Sequence, residues 1–310
     1  MTAILAILCP GQGGQRPAMF DLARTDPQAA ALLDRCLEQA GLDRPLDAVL
    51  ADRQLLFSNK LAQPLIVAME LAMWEAIRNH IPEPALVAGY SIGELAAYAV
   101  AGSLNAQDAV GLAAARARLM DDCLQQSPAQ ILAAVAGVNA ASVAQVLREH
   151  RFYIAIETGE ENFIVGGLQD AWPEAEAVLV RRGARITVLP VEVASHTPYM
   201  ATAVQAFEDA LRLRPFAAPR MPVLAGISAA RIHRPDDAIS TLSRQIAETI
   251  RWTDCMDACA EAGVTIALEL GQCSALSRML QTRHPQIECR SVSDFRSLQG
   301  VRTWLASRID

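Results

Sequence analysis

Apolar positions along the chain follow two spacings, and the two alternate. Residues 3–9 (AILAILC) form a short run with no polar break, the pattern of a strand buried on both faces. Residues 27–41 and 63–80 carry apolar side chains at helical spacing over helical lengths. Strand character returns at 84–90 (PALVAGY), and helical character at 91–101 and 106–123. Strands alternating with helices predict a parallel α/β sheet covered on both faces. The middle of the chain differs: 131–137 reads as strand, 140–150 as helix, 153–158 and 162–168 as two strands joined by a Gly-containing turn, 170–183 as helix and 184–191 as strand. This βαββαβ order is the split-βαβ or ferredoxin-like unit. It predicts a small domain at 128–192 inserted into a discontinuous α/β domain at 1–127 and 193–310. After the insert, helices are expected at 198–213, 236–250, 273–282 and 295–308, and strands at 221–227, 264–270 and 287–292.

Composition narrows the function classes. The 310 residues carry a net charge of −7, which argues against nucleic acid or an anionic membrane as partner, since both usually select a basic stripe. Lys60 is the single lysine, and the arginines are dispersed. The 7 cysteines are irregularly spaced without a C-x-x-C, the pattern of a reduced, cytoplasmic protein with mostly buried thiols. Cys255 and Cys259 lie one helical turn apart, too little for a metal site, and no metal is expected. The apolar start (MTAILAILCPG) lacks a basic n-region and reads as a first strand, not a signal peptide. No apolar run reaches the roughly 18 residues of a membrane span.

Several residues carry potential chemistry. Gly89-Tyr90-Ser91-Ile92-Gly93 matches G-x-S-x-G with a strand before it and a helix after it. In that setting Ser91 is exposed on a tight turn at a helix N-terminus, and the Ile92 N–H points where an oxyanion would form. A helix-capping serine is the alternative. Of the histidines (80, 150, 196, 233 and 284), His196 sits at a strand-to-helix junction, where it could serve as base or as cap. Pro10-Gly11-Gln12-Gly13-Gly14-Gln15 follows the first strand and is neither a P-loop nor a dinucleotide fingerprint; it could supply a second oxyanion donor or be a plain turn. Arg116 and Arg118 lie two apart on one helix and so face different ways. One turned inward would need a carboxylate, which a substrate could provide; otherwise both are solvated.

Taken in order, these pieces resemble the malonyl-CoA:acyl carrier protein transacylase family over nearly the whole length. Cys9-Pro-Gly-Gln-Gly-Gly-Gln15 is similar to its F-P-G-Q-G-S-Q opening, Gln63-Pro64 to T-Q-P-A-L, Gly89-Tyr-Ser-Ile-Gly-Glu94 to G-H-S-L-G-E, Arg116-Ala-Arg-Leu-Met120 to R-G-K-x-M and Ser195-His196 to P-S-H; Arg251-Trp252-Thr253 and Leu270-Gly271 also fall in order. The resemblance implies an α/β-hydrolase-like domain with a ferredoxin-like insert. It implies Ser91 as nucleophile, His196 as base, the backbone carbonyl at Gln245 in place of a third acidic side chain, and Gln12 with the Ile92 N–H as oxyanion hole. Arg116 would bind the malonyl carboxylate, and Gln63 would line the acyl pocket. No bound cofactor is implied: malonyl-CoA is the donor, and a carrier-borne phosphopantetheine or dephospho-CoA-type arm the acceptor.

Two departures stand out. Tyr90 replaces histidine before the nucleophile, and Thr158-Gly-Glu-Glu replaces Asn-Ser-Pro-Gly in the insert, with Asn162 where glutamine is usual. Asn162 is thus a candidate for the acyl pocket or for orienting the histidine. The G-Y-S-x-G-E variant resembles the epsilon subunit of malonate decarboxylase, which loads malonyl onto a small carrier subunit. The alternatives are the transacylase of fatty-acid or polyketide synthesis, a serine esterase or thioesterase, and a non-catalytic carrier-binding subunit. Carrier proteins are usually acidic, so docking points to Arg151, Arg181, Arg182 and Arg185 in the insert, or to Lys60.

Overall fold

A computed structural model describes residues 3–125, 127–191 and 193–309. The expected domain limits at 1, 192 and 310 fall on or beside residues outside the described ones. The strands are β1 (Leu5–Cys9), β2 (Leu86–Gly89), β3 (Gln130–Ala136), β4 (Phe152–Gly159), β5 (Asn162–Leu168), β6 (Arg185–Val188), β7 (Val223–Leu224), β8 (Arg231–Ile232), β9 (Ile250–Arg251), β10 (Ile266–Glu269) and β11 (Glu288–Ser291). The α-helices are α1 (Pro27–Leu37), α2 (Leu46–Ala51), α3 (Arg53–Phe57), α4 (Asn59–Ile77), α5 (Gly93–Val100), α6 (Ala106–Gln125), α7 (Ala140–Glu149), α8 (Trp172–Arg181), α9 (Ala201–Arg212), α10 (Pro235–Gln245), α11 (Trp252–Glu261), α12 (Ala275–Arg283) and α13 (Leu298–Ile309). Among the described residues no helix is long and apolar enough to cross a membrane.

The larger sheet has the order β11-β10-β1-β2-β7-β8, parallel except where β8 runs antiparallel to β7. Its centre shows why the first apolar run has no polar break. Leu5, Ile7 and Cys9 enter one core with α4, α5 and α6, while Ala6 and Leu8 enter a second with Trp252, Met256 and Leu280. Successive side chains point to opposite faces, so a strand covered on both sides must be apolar throughout.

The second sheet has the order β6-β3-β5-β4-β9, its first four strands antiparallel. These four strands with α7 and α8 are the ferredoxin-like small domain in an α/β fold. One face holds Val135, Phe152, Phe163 and Val165 against Leu147 and Leu179; from the other, Leu132, Ala155 and Ile156 join the core around Trp252. The fifth strand was unforeseen. A helix was expected over 236–250, but α10 stops at Gln245, and Ile250–Arg251 pairs in parallel with β4. That pairing stitches the insert to the larger domain. Helices α2 and α3 and strand β8 also lie outside the periodic segments, being too short to show a period.

The carboxyl ends of β1 and β2 meet closely. A Cβ on Gly93 would lie 2.1 Å from the Cys9 carbonyl oxygen, and one on Gly89 would lie 2.2 Å from Glu94 Cα. The turn after β2 therefore packs backbone to backbone on the loop after β1. Gly93→Ala should displace both and cost about 3 kcal/mol or more, read as a loss of chemical-denaturation stability. Wild-type stability in that variant would contradict this packing.

Candidate active site

The site lies where α/β sheets usually bind ligands, beyond the carboxyl ends of adjacent parallel strands. Ser91 follows β2 with φ of 55°, a left-handed conformation costly for a non-glycine residue. This sharp turn lifts its hydroxyl off the sheet. His196 is also left-handed, with φ of 62°, and its N–H donates to the Ile246 carbonyl at 2.8 Å. The two meet: Ser91 Oγ lies 2.7 Å from His196 Nε2. On the far side of the ring, Nδ1 lies 2.6 Å from the Gln245 carbonyl oxygen, which can only accept. Nδ1 therefore carries the proton, and Nε2 is left to accept from the serine.

His196 is buried, and burial first, then the positive charge of Arg116, lowers its pKa to about 3, with the Gln245 carbonyl opposing. It is a neutral base at ordinary pH. The other histidines are exposed or half-buried; His150 and His284 sit beside Glu174 and Asp257.

Arg116 and Arg118 separate as their spacing allows: Arg118 is exposed and Arg116 is 3% exposed. Arg116 Nη1 donates to Gln63 Oε1 at 2.7 Å, and Nη2 donates to Gln245 Oε1 at 3.3 Å. Burial lowers its pKa to about 10, with Glu94 opposing, so it stays protonated. A guanidinium has five N–H donors, so further donors remain for a carboxylate. Gln63 Nε2 in turn donates to Asn59 Oδ1 at 2.6 Å, and Asn59 Nδ2 donates to Asp121 Oδ1 at 2.8 Å. On the other side, Gln245 Nε2 donates to Glu94 Oε2 and, at 3.2 Å, to the Ser91 carbonyl. One hydrogen-bonded chain thus runs from Asp121 through Arg116 to Glu94, and Gln245 ties it to the serine–histidine pair.

The loop after β1 packs on this turn: a Cβ on Gly11 would lie 2.8 Å from the Tyr90 carbonyl and 3.6 Å from Ser91 Cβ. Gln12 lies in that loop, and its Nε2 approaches Asn59 Oδ1 at 3.4 Å. The Ile92 N–H has no protein acceptor among the described residues. Tyr90 turns its ring edge-to-face onto Trp252, centroids 5.3 Å apart.

Asn162 is not brought here. It is exposed at the start of β5, its Nδ2 close to Gly159, where it lines a separate cavity with Met256 and Arg278. The Gln245 carbonyl, not Asn162, is the group on the far side of the ring. Asn59 and Glu94 were assigned no role from sequence. Asn59 stands four residues before Gln63 on one helix face, the one signal that could have found it. A cavity of about 850 Å³ reaches Asn59 between Phe57, Lys60, Pro190 and Val191, and another of about 480 Å³ reaches His196 between Tyr153, Ile227 and Arg251.

Residues 7–294 match the acyl transferase domain family. The chain is 32% identical over 299 residues to a spectinabilin polyketide synthase system protein of Streptomyces orinoci, with 89% of this chain covered but only 13% of that much longer protein. It is 29% identical over 292 residues to the malonyl CoA-acyl carrier protein transacylase of Mycobacterium bovis, covering 93% and 96% of the two chains. The crystal structure of malonyl-CoA:acyl carrier protein transacylase from Xanthomonas oryzae pv. oryzae superposes with a TM-score of 0.91 at 28% identity, over 100% of each chain.

The depressed His196 pKa makes a stability prediction. Between pH 6.5 and about 3 the unfolded chain binds a proton that the folded chain excludes, so stability falls as pH drops below 6.5. This group should remove about 2 kcal/mol between pH 7 and pH 5. His196→Asn should flatten that part of the slope in denaturation measured at both pH values; equal slopes would contradict a buried neutral imidazole.

Proposed function

The chain belongs to the acyl transferase domain family, and from that membership we propose that it moves malonyl from malonyl-CoA to the thiol of a carrier protein through an ester on Ser91. It is an acyltransferase. The observation that carries the choice of malonyl is Arg116: a buried guanidinium with donors to spare, joined by Gln245 to the serine–histidine pair. An esterase for neutral acyl groups has no use for a buried charge at that place.

In this reading Ser91 Oγ attacks the thioester carbonyl and passes its proton to His196 Nε2. The tetrahedral oxyanion is met by the Ile92 N–H and by Gln12 on the neighbouring loop. Collapse expels the CoA thiolate, which takes the proton back from His196. The carrier thiol then repeats the sequence in reverse, giving its proton to His196 as it attacks the ester. The imidazolium formed in each half-reaction is held by the Gln245 carbonyl and not by a carboxylate. A malonyl carboxylate on Arg116 also offsets the positive charge that opposes protonation of His196.

For the acceptor, we propose the dephospho-CoA-type carrier of malonate decarboxylase. This rests on Tyr90 before the nucleophile and on the Thr158-Gly-Glu-Glu turn. Exposed Arg151, Arg181, Arg182 and Arg185, or Lys60 beside the larger cavity, offer docking charge for an acidic carrier. Reversing two of the insert arginines should raise the carrier KM and leave acylation by malonyl-CoA unchanged.

Two experiments test the proposal. A hydrogen bond to a charged group contributes about 1.5–3 kcal/mol, so Arg116→Ala should lower the malonyl-over-acetyl preference in kcat/KM by about one to two decades. An unchanged preference would remove Arg116 from carboxylate binding. With the wild-type enzyme, transfer to a dephospho-CoA-type carrier should outrun transfer to a phosphopantetheine carrier. The reverse order would assign the enzyme to fatty-acid or polyketide synthesis, and rapid turnover of malonyl-CoA to malonate without any carrier would make it a hydrolase.

A further inference from the structure

Glu94 has no part in the mechanism above, yet it is the fully buried carboxyl group built into the site. It lies in the first turn of α5, three residues after Ser91, and is 0% exposed. Its Oε2 accepts from the Gly226 N–H at 2.9 Å and from Gln245 Nε2. A Cβ on residue 226 would lie 2.8 Å from that oxygen, so any side chain there would push the carboxylate from its seat. Its Oε1 is buried without a hydrogen-bond partner among the described residues.

The carboxylate fixes the Gln245 amide. The NH2 group must face Glu94 and the Ser91 carbonyl, which leaves the amide oxygen for Arg116. Glu94 and Arg116 are therefore a charge pair relayed by one amide dipole. The other titratable groups around Glu94 are Tyr98 on its own helix, Cys255 on α11 and His196 beyond the Gln245 carbonyl. Burial favours the neutral form of all three. Arg116 on α6 is the cation that faces it.

We propose that Glu94 is a positioning residue that balances the charge of Arg116 through Gln245, and that arrival of an acyl carboxylate on Arg116 is matched by uptake of one proton at Glu94. This rests on the reading of Arg116 as the carboxylate binder. Without substrate, the buried cation is relayed to Glu94 through Gln245 on one side and to the half-buried Asp121 through Gln63 and Asn59 on the other. Burial raises the Glu94 carboxyl to about 7, with the Gly226 N–H, Gln245 and Arg116 opposing the rise. A carboxylate docked directly on Arg116 takes up its charge, and of the two relayed acids Glu94 is the one fully buried. Glu94 then binds a proton from solvent on its unpartnered oxygen, and the net charge of the cluster is unchanged. The sign follows. Well below pH 7 Glu94 is protonated with or without ligand, and malonyl affinity is flat. Above pH 7 binding must draw a proton, so affinity falls with rising pH, by at most about tenfold per unit. An acyl group without a carboxylate draws none.

The test uses Ser91→Ala, which binds the thioester without reacting. Titration calorimetry at pH 8 in two buffers of different ionisation enthalpy counts the protons bound. Malonyl-CoA should draw up to about one proton more than acetyl-CoA, the shared CoA moiety cancelling in the difference. Adding Glu94→Gln should abolish that difference and make malonyl-CoA affinity flat from about pH 6 to about pH 8.5. Equal proton counts for the two thioesters, or a difference that survives Glu94→Gln, overturns the proposal; should that variant not fold, the comparison in Ser91→Ala alone decides. Arg116→Ala separates the two readings. If it leaves malonyl and acetyl affinities unchanged, the carboxylate assignment fails. If it abolishes the malonyl preference while the proton counts were equal, only the coupling fails.

Discussion

Gln245 is the residue on which the site depends, because both of its carbonyl groups are committed to it. Its backbone oxygen accepts from His196 Nδ1 at 2.6 Å, and its side-chain oxygen accepts from Arg116. The first is available because Gln245 is the last residue of α10, where helix carbonyls lack an intrahelical partner. The same end of the helix carries partial negative charge, which suits the transient imidazolium of acyl transfer. A histidine oriented this way needs no acidic side chain. The histidine can then remain neutral and still be held in one tautomer, within reach of a serine on the facing turn. Substitution at 245 leaves a backbone carbonyl in place but loses the amide, so the two functions of the residue are separable in principle.

The amide binds the serine–histidine pair to a buried electrostatic balance. Arg116 is far from water, and an uncompensated charge there would be strongly destabilising. It is instead held between two amides, each backed by a carboxylate: Gln63 and Asn59 lead to Asp121, and Gln245 leads to Glu94. No carboxylate is among its hydrogen-bond partners. Indirect compensation of this kind keeps the guanidinium protonated and leaves donors free, whereas a direct ion pair would fill the place proposed for a substrate carboxylate. The fold supports the arrangement by close backbone packing of Gly89 on Gly93 and Glu94 and of Gly93 on Cys9 and Pro10, and by Gly226, whose backbone lies against the Glu94 carboxylate.

Much of this was legible because it is local. The apolar run of β1, the βαββαβ order of the insert and the strand-turn-helix setting of Ser91 depend on residues close together in the chain, and the structure follows them. What could not be read is long-range. Nothing in the spacing told Arg116 from Arg118; Arg116 lies on the side of its helix that meets Gln63 of α4 and Gln245 at the end of α10. Strand β9 is two residues long and acquires its identity only by pairing with β4, about a hundred residues away. Asn162 is of the same kind: its position in a motif fixed its hairpin, but not which side chain would meet the histidine, and the Gln245 carbonyl does. Glu94 was visible beside the serine, yet its partners, Gly226 and Gln245, come from two distant segments.

All of this turns on Ser91 carrying the acyl group. Brief incubation of the enzyme with malonyl-CoA and no carrier, followed by acid quench, proteolysis and mass spectrometry, tests it directly. The account expects one malonyl ester per chain, on the peptide containing Ser91, that disappears when carrier thiol is added before the quench. An adduct on another residue, or transfer to carrier that persists undiminished in purified Ser91→Ala, would contradict it.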